Sequence, residues 1–372
     1  MNESLSENRK RIQTDETCDA IYEGKYIKAL LLRQPNTLCV DEREILINYY
    51  SKNGKEQLLK IGKGKKIIPF VAEMFIELGF DEQFWRPYYD FYLYRNIKIK
   101  NLLDSIFKEL KAHGCKSVVL TENFGVLLAS NSDMASFCSG DVDLSADITE
   151  KNIIVSILNL FGFHSKDQPS NIGEYTGQSM QFFSGDAIDG GFWVNVIWKP
   201  VTRAFLVQDR YEARLSRKRI EAVYYNKSNI RILDDTSLLY FCALHSSAGH
   251  YFTLSPGLRL FVDIDRMARK PNINWDSILQ WQEEDSAGIR ISMALYLAYR
   301  VFKTPIPEEF IFQIENNTAS KRLLRYLLND CSGQIQNKSS ILRRLYVELE
   351  SDNKNLIFNF FYRILSYVGS KI

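Results

Sequence analysis

The sequence predicts an α+β fold, in which a small mixed sheet with its own helices is flanked by helical regions on the N-terminal and C-terminal sides. Three observations predict it. Apolar residues recur at spacings of three and four up to about Tyr94; short alternating apolar runs and turn residues gather between 95 and 225; helical periodicity returns from Asp235. At 372 residues the chain exceeds one compact domain. The expected division is an N-terminal helical region over 1–94, an α/β domain over 95–225 and a C-terminal helical region over 226–372.

In chain order, "DEREILINYYSK" and "KEQLLKIGKGKKIIPFVAEMFIELGF" read as helices. In "KNLLDSIFKELKAHG", Leu102, Leu103, Ile106, Phe107 and Leu110 share one face and Gly114 supplies the stop, before a short strand "CKSVVL". A second strand lies around Val142 and Leu144, followed by Thr149 and a helix with Ile153, Ile154, Ile157, Leu158 and Phe161 on its apolar side. "SMQFFS" and "FWVNVIW" flank "GDAIDGG", a turn composition that predicts a hairpin. Helices are then expected in "DTSLLYFCALHSSAGH", "GLRLFVDIDRMARK", "WDSILQWQ" and "GIRISMALYLAYRVF", the last ended by Pro305 and Pro307. The stretch "SSILRRLYVELESDNKNLIFNFFYRILSYV" is amphipathic and expected to join the same bundle.

Composition excludes several classes of function. With 45% hydrophobic and 25% charged residues the chain is not of disordered type. A formal net charge of +2 provides no general field for nucleic acid or an anionic membrane, so any anion site must be local. The six cysteines are scattered, with no C-x-x-C pair and no histidine at zinc-ligand spacing, which argues against structural zinc. The start, "MNESLSENRKRIQ", has no apolar core, and no uncharged apolar run approaches the roughly 20 residues that cross a bilayer. A cytoplasmic location with reduced thiols is therefore expected, and no membrane partner.

Chemistry concentrates in "SGDVDLSADI". On a strand, Asp141 and Asp143 fall on one face while Val142 and Leu144 point into the core. Two carboxylates held side by side repel, so a site that keeps both ionised usually contains a cation. Mg²⁺ (or Mn²⁺) suits hard oxygen ligands, with substrate phosphates completing its shell. Gly140, just before the pair, would let a backbone or phosphate approach closely. A chance Asp-x-Asp at the end of a surface strand is the competing reading.

Other features carry less. Lys60, Lys63, Lys65 and Lys66 in "KIGKGKK" do not form a P-loop and read as a solvated helix end. His245 reads as a partly buried, satisfied histidine. Arg259 and Asp263 are spaced to pair at i and i+4. Lys199 and Arg203, just after "VNVIW", are the best-placed basic residues for a phosphate.

The helix Leu102–Gly114, the strand "SVVL" and the Gly-Asp-hydrophobic-Asp-hydrophobic run "GDVDL" together resemble the uncharacterised bacterial nucleotidyltransferase-like proteins of the polymerase-β nucleotidyltransferase superfamily. The resemblance extends over most of the chain, through "GKKIIPFVAEMF", "SLLYFCALHSSAGHYFTLSPGLRLFVDIDRM", "INWDSI" and "KTPIPEEF". It implies a nucleotidyltransferase-like sheet and metal-dependent transfer of a nucleoside monophosphate from an NTP substrate to an acceptor, with Asp141 and Asp143 as Mg²⁺ ligands and pyrophosphate leaving. It also implies a third carboxylate in "FWVNVIW". There this chain has Asn195, whose amide oxygen can ligate a metal but cannot act as a base. Asp186 and Asp189, in the hairpin loop, could stand in. Relatives commonly carry Lys-Gly after the first strand, where this chain has Thr121, Glu122 and Asn123, and the basic residue often found before Gly-Asp is replaced by Ser136, Phe137, Cys138 and Ser139. The expected partners are a nucleotide and a small-molecule or protein/peptide acceptor, with nucleic acid least favoured. The alternative is a catalytically degenerate fold that binds a ligand or a protein.

Overall fold

A computed structural model describes residues 27, 29–65, 67–165, 179–184, 191–198, 222–250, 252, 258–285 and 287–329. Helix α1 (Val40–Lys65) is broken at Gly54, whose φ of 75° and ψ of 168° leave the helical region. Helix α2 (Ile68–Glu77) begins with Pro69 in its first turn, where the missing N–H costs nothing. Helix α3 (Glu82–Ala112) buries Trp85, Ile99, Leu103, Ile106, Phe107 and Leu110, and Gly114 follows it at φ 81°. This one helix runs through the position at which the sequence divides the helical lead-in from the α/β domain.

Strand β1 (Val119–Leu120) leads into the short helix α4 (Phe124–Ala129). A β-carbon at Gly125 would lie 3.3 Å from the backbone of Leu120, so glycine permits this tight turn. Next come β2 (Asp141–Ser145), α5 (Lys151–Leu160), β3 (His164–Ser165), β4 (Ser179–Ser184) and β5 (Phe192–Ile197). The predicted hairpin is present, with β4 and β5 antiparallel from Ser179 opposite Ile197 to Ser184 opposite Phe192. Helix α5 buries Ile154, Ile157 and Leu158, whereas Ile153, expected on the apolar side, is exposed. The apolar stripe is narrower than the composition suggests.

Three strands absent from the sequence reading, β3 and the further β6 (Ala222–Tyr224) and β7 (Arg231–Leu233), complete a sheet of order β3-β4-β5-β2-β1-β7-β6. At two or three residues each they are too short to show a period of two. Strand β2 lies at the centre, parallel to β5 and antiparallel to β1. Val142, Leu144, Phe182, Phe192, Val194 and Val196 are buried, which commits alternate residues of these strands to the core.

Of the described C-terminal helices, the first four follow the sequence reading and the last two, over Glu308–Asn316 and Thr318–Asn329, do not appear in it. Helix α6 (Asp235–Leu244) is capped by Asp234, which accepts from the N–H groups of Thr236 and Ser237, and it continues into a π-helical turn over His245–Gly249. Helices α7 (Leu258–Ala268), α8 (Trp275–Glu284) and α9 (Gly288–Phe302) follow, and α9 stops at Lys303 in the left-handed region, before Pro305 and Pro307. Helices α10 (Glu308–Asn316) and α11 (Thr318–Asn329) end the described chain, so the amphipathic stretch 339–368 lies outside the described residues. Helix α7 packs against α4, and α6 against β7, which brings the C-terminal helices to the side of the sheet next to β2, the strand that carries both aspartates. Among the described residues no helix is long and apolar enough to cross a membrane.

Candidate functional site

Parallel pairing of β2 with β5 sets Asp143 directly opposite Asn195. Asp141, two residues earlier on β2, projects from the same face, so the register alone assembles the three side chains. The Asn195 amide donates from Nδ2 to Asp141 Oδ2 at 3.1 Å and to Asp143 Oδ1 at 3.0 Å. One amide thus bridges both carboxylates, and Asp141, Asp143 and Asn195 meet as the sequence predicts.

The remaining carboxylate oxygens are held by neighbours. Asn123, after β1, donates from Nδ2 to Asp143 Oδ2 at 3.1 Å, and the Ser139 hydroxyl donates to Asp141 Oδ1. Asn123 has a φ of 34°, an uncommon conformation for a residue other than glycine, tolerated best by Asn and Asp. Burial pushes the Asp143 carboxyl up to about 6, and the adjacent Asp141 charge adds to the rise. Hydrogen bonds from Asn195 and Asn123 and the charge of Arg259 oppose it.

Asn195 Oδ1 is buried and accepts no hydrogen bond. An unsatisfied buried acceptor is costly. Rotating the amide by half a turn would exchange its two ends and turn an oxygen toward the carboxylates, an arrangement that only a cation between them would favour. Two carboxylates and an amide oxygen are hard donors, so the residues present fit Mg²⁺ or Mn²⁺. Among the described residues no group of three or more His, Cys, Asp or Glu side chains is gathered to hold a metal; the third member here is the amide.

Gly140 is exposed, and a β-carbon there would meet nothing within 4 Å. Lys199, Arg203, Asp186 and Asp189 lie outside the described residues.

The sequence reading found no basic residue before Gly-Asp, yet two arginines reach this place from elsewhere. Arg95, buried on α3, donates from Nη2 to the carbonyl oxygen of Ser139 at 3.1 Å, and its guanidinium lies 6.0 Å from the centre of the Phe137 ring. The neighbouring Asn96 donates to the carbonyl oxygens of Met134 and Phe137 at 2.6 and 2.8 Å. Helix α3 therefore holds the loop that presents Asp141. Arg259, on α7, donates from Nη2 to Asn123 Oδ1 at 3.2 Å. Its expected pairing with Asp263 is not formed, because the guanidinium turns toward Asn123 and Cys138 instead. Continuous helical periodicity across position 95 could have revealed Arg95; nothing local marks Arg259 or Asn123.

Glu122, beside Asn123, is buried and pairs with His245 at 3.1 Å between Oε2 and Nε2. The acid that follows the first strand in place of a basic residue is thus engaged by a histidine. His245 opens the π-helical turn and packs edge-on against His250, with ring centres 4.6 Å apart. Such turns recur at functional sites.

Comparison with known families gives a match over residues 51–303 to a model described as "Uncharacterised nucleotidyltransferase". No curated protein and no solved structure matches the chain. The matched span runs from within α1 through the whole sheet to the end of α9.

Proposed function

The chain belongs to this uncharacterised nucleotidyltransferase family, and on that premise we propose that it transfers a nucleoside monophosphate from an NTP to an acceptor hydroxyl, with Mg²⁺ (or Mn²⁺) held by Asp141 and Asp143. The observation that carries this reading is the amide of Asn195 bridging two carboxylates, with its own oxygen buried and unpaired. The cation would offset the charge of the aspartates and stabilise the charge that develops on the phosphates.

The reaction joins the acceptor oxygen to the α-phosphorus, breaks the bond from that phosphorus to pyrophosphate and releases the hydroxyl proton. The protein's part is mainly alignment. Ser139 and Asn123 fix the outer carboxylate oxygens, and the exposed Gly140 beside Asp141 leaves its backbone free of a side chain where a phosphate would approach. Asn195 has no basic atom, so it cannot take the proton. The Glu122–His245 pair, adjacent in sequence to Asn123, is the titratable pair this reading assigns to take it. A small molecule or a protein or peptide is the acceptor class this reading favours.

A second reading has its own support. Asn195 in place of a carboxylate, and the two-acid set it leaves, also suit a nucleotidyltransferase fold that only binds a ligand or partner. Release of pyrophosphate from NTP separates the two. The enzyme reading expects release that requires Mg²⁺ or Mn²⁺ and vanishes in Asp141→Ala; NTP binding without release in the presence of candidate hydroxyl acceptors supports the binding module.

A further inference from the structure

Building on the nucleotidyltransferase reading, we propose that Arg259 grips the triphosphate of the nucleotide, from the C-terminal helices rather than from the loop after β1. Arg259 is half-buried in the first turn of α7, and α7 packs against α4, which begins immediately after Asn123. A guanidinium carries five N–H donors in a fixed fork. Those of Arg259 meet an amide oxygen, Asn123 Oδ1, at 3.2 Å, and at the long limit of contact the sulfur of Cys138 at 4.0 Å. Neither is an anion.

An arginine withdrawn this far from water ordinarily sits on a carboxylate. Asp263, one helical turn away and only 7% exposed, is the obvious candidate, but among the described residues no carboxylate forms a hydrogen bond or ion pair with Arg259. The charges of Asp263 and Asp141 act on the guanidinium from a distance, but among the described residues no carboxylate takes its donors directly, which leaves them for an anion from outside. The position of the guanidinium says where that anion would lie. The Asn123 amide touches Arg259 with its oxygen and Asp143 Oδ2 with its nitrogen, so guanidinium and carboxylate pair stand one amide apart. A polyphosphate that meets a cation at Asp141 and Asp143 would have its far phosphates within reach of Arg259. The strained backbone of Asn123, at φ 34°, fixes this spacer between the two.

In this chain the first-strand loop offers Thr121, Glu122 and Asn123, with no lysine or arginine. Arg259 provides the missing positive charge from a residue 136 positions later.

The test is calorimetric titration of the full chain, in Mg²⁺, with each NTP, each NMP and inorganic tripolyphosphate, for wild type, Arg259→Gln and Arg259→Lys, with circular dichroism as the check on folding. Loss of a charged hydrogen bond predicts that Arg259→Gln weakens NTP and tripolyphosphate binding about 10- to 100-fold. NMP affinity should stay within about 3-fold, and Arg259→Lys should recover part of the loss. Unchanged NTP affinity in Arg259→Gln, or an equal loss for NTP and NMP, overturns the role of Arg259 while leaving nucleotide binding in place. Wild type that binds neither NTP nor tripolyphosphate overturns the nucleotidyltransferase reading, and this assignment with it. Should Arg259→Gln fail to fold, Arg259→Lys decides: a fall in triphosphate affinity alone supports the assignment, and wild-type affinity overturns it.

Discussion

Asn195→Asp is expected to destabilise the metal-free protein by about 3 kcal/mol at pH 8 and to make Mg²⁺ strongly stabilising. In the present structure a single NH₂ group donates to Asp141 at 3.1 Å and to Asp143 at 3.0 Å. Hydrogen bonds to a charged group contribute about 1.5–3 kcal/mol each. The substitution removes both and places a third negative charge against two others, one of them largely buried. Protonation relieves such a cluster, so the penalty should shrink as the pH falls toward 5. Thermal unfolding at pH 5 and 8, with and without Mg²⁺, measures all four conditions. A variant as stable as wild type at pH 8 without metal would mean that the amide does not hold the carboxylates apart. Its activity carries a second message: a strong rise in pyrophosphate release would mark Asn195 as a degenerate ligand, and loss would mark it as part of a working variant site.

Asp143→Asn is expected to act in the opposite direction on the metal-free protein. The Asp143 carboxyl is raised from an ordinary 3.8 to about 6, mainly by burial and then by Asp141. A folded-state value above the unfolded one means that the folded protein holds the proton more tightly. No penalty exists below about pH 4; it grows as the pH rises through about 6 and is complete above that. A shift of about two units corresponds to roughly 3 kcal/mol. Some of that gain is lost because an amide accepts poorly from both Asn195 and Asn123, so a net gain of roughly 1–2 kcal/mol is expected at pH 8 and little change at pH 4. The same proton competes with any cation. Metal affinity of the wild-type protein should therefore fall as the pH drops below about 6, and in Asp143→Asn it should be weak at every pH. Denaturant unfolding across pH 4–8 and Mn²⁺ titration check the two parts; an Asp143→Asn gain that is the same at pH 4 and pH 8 would contradict the charge-repulsion account.

How far the sequence discloses this molecule depends on the range of each interaction. Strand β2 is legible because Val142 and Leu144 alternate with the aspartates, and the β4–β5 hairpin because its turn composition and strand residues are local. Asp141, Asp143 and Asn195 could be named together because a period of two fixes the first pair and the family resemblance supplies the third. The short β6 and β7 leave no such mark. Arg95 meets Ser139 across 44 residues, and Arg259 meets Asn123 across 136. These contacts are made by tertiary packing of α3 and α7, which no local pattern encodes. Glu122 illustrates the same limit: read alone it is an acid where relatives commonly carry Lys-Gly, and only the fold brings His245 to it.

The most direct test of a metal-dependent nucleotide site on β2 is calorimetric titration of the purified chain with each NTP in Mg²⁺ and in Mn²⁺, alongside Asp141→Ala. Saturable binding that requires the metal and is lost in the variant is the predicted result. Absence of binding to any NTP, or binding that survives both metal removal and Asp141→Ala, would contradict it.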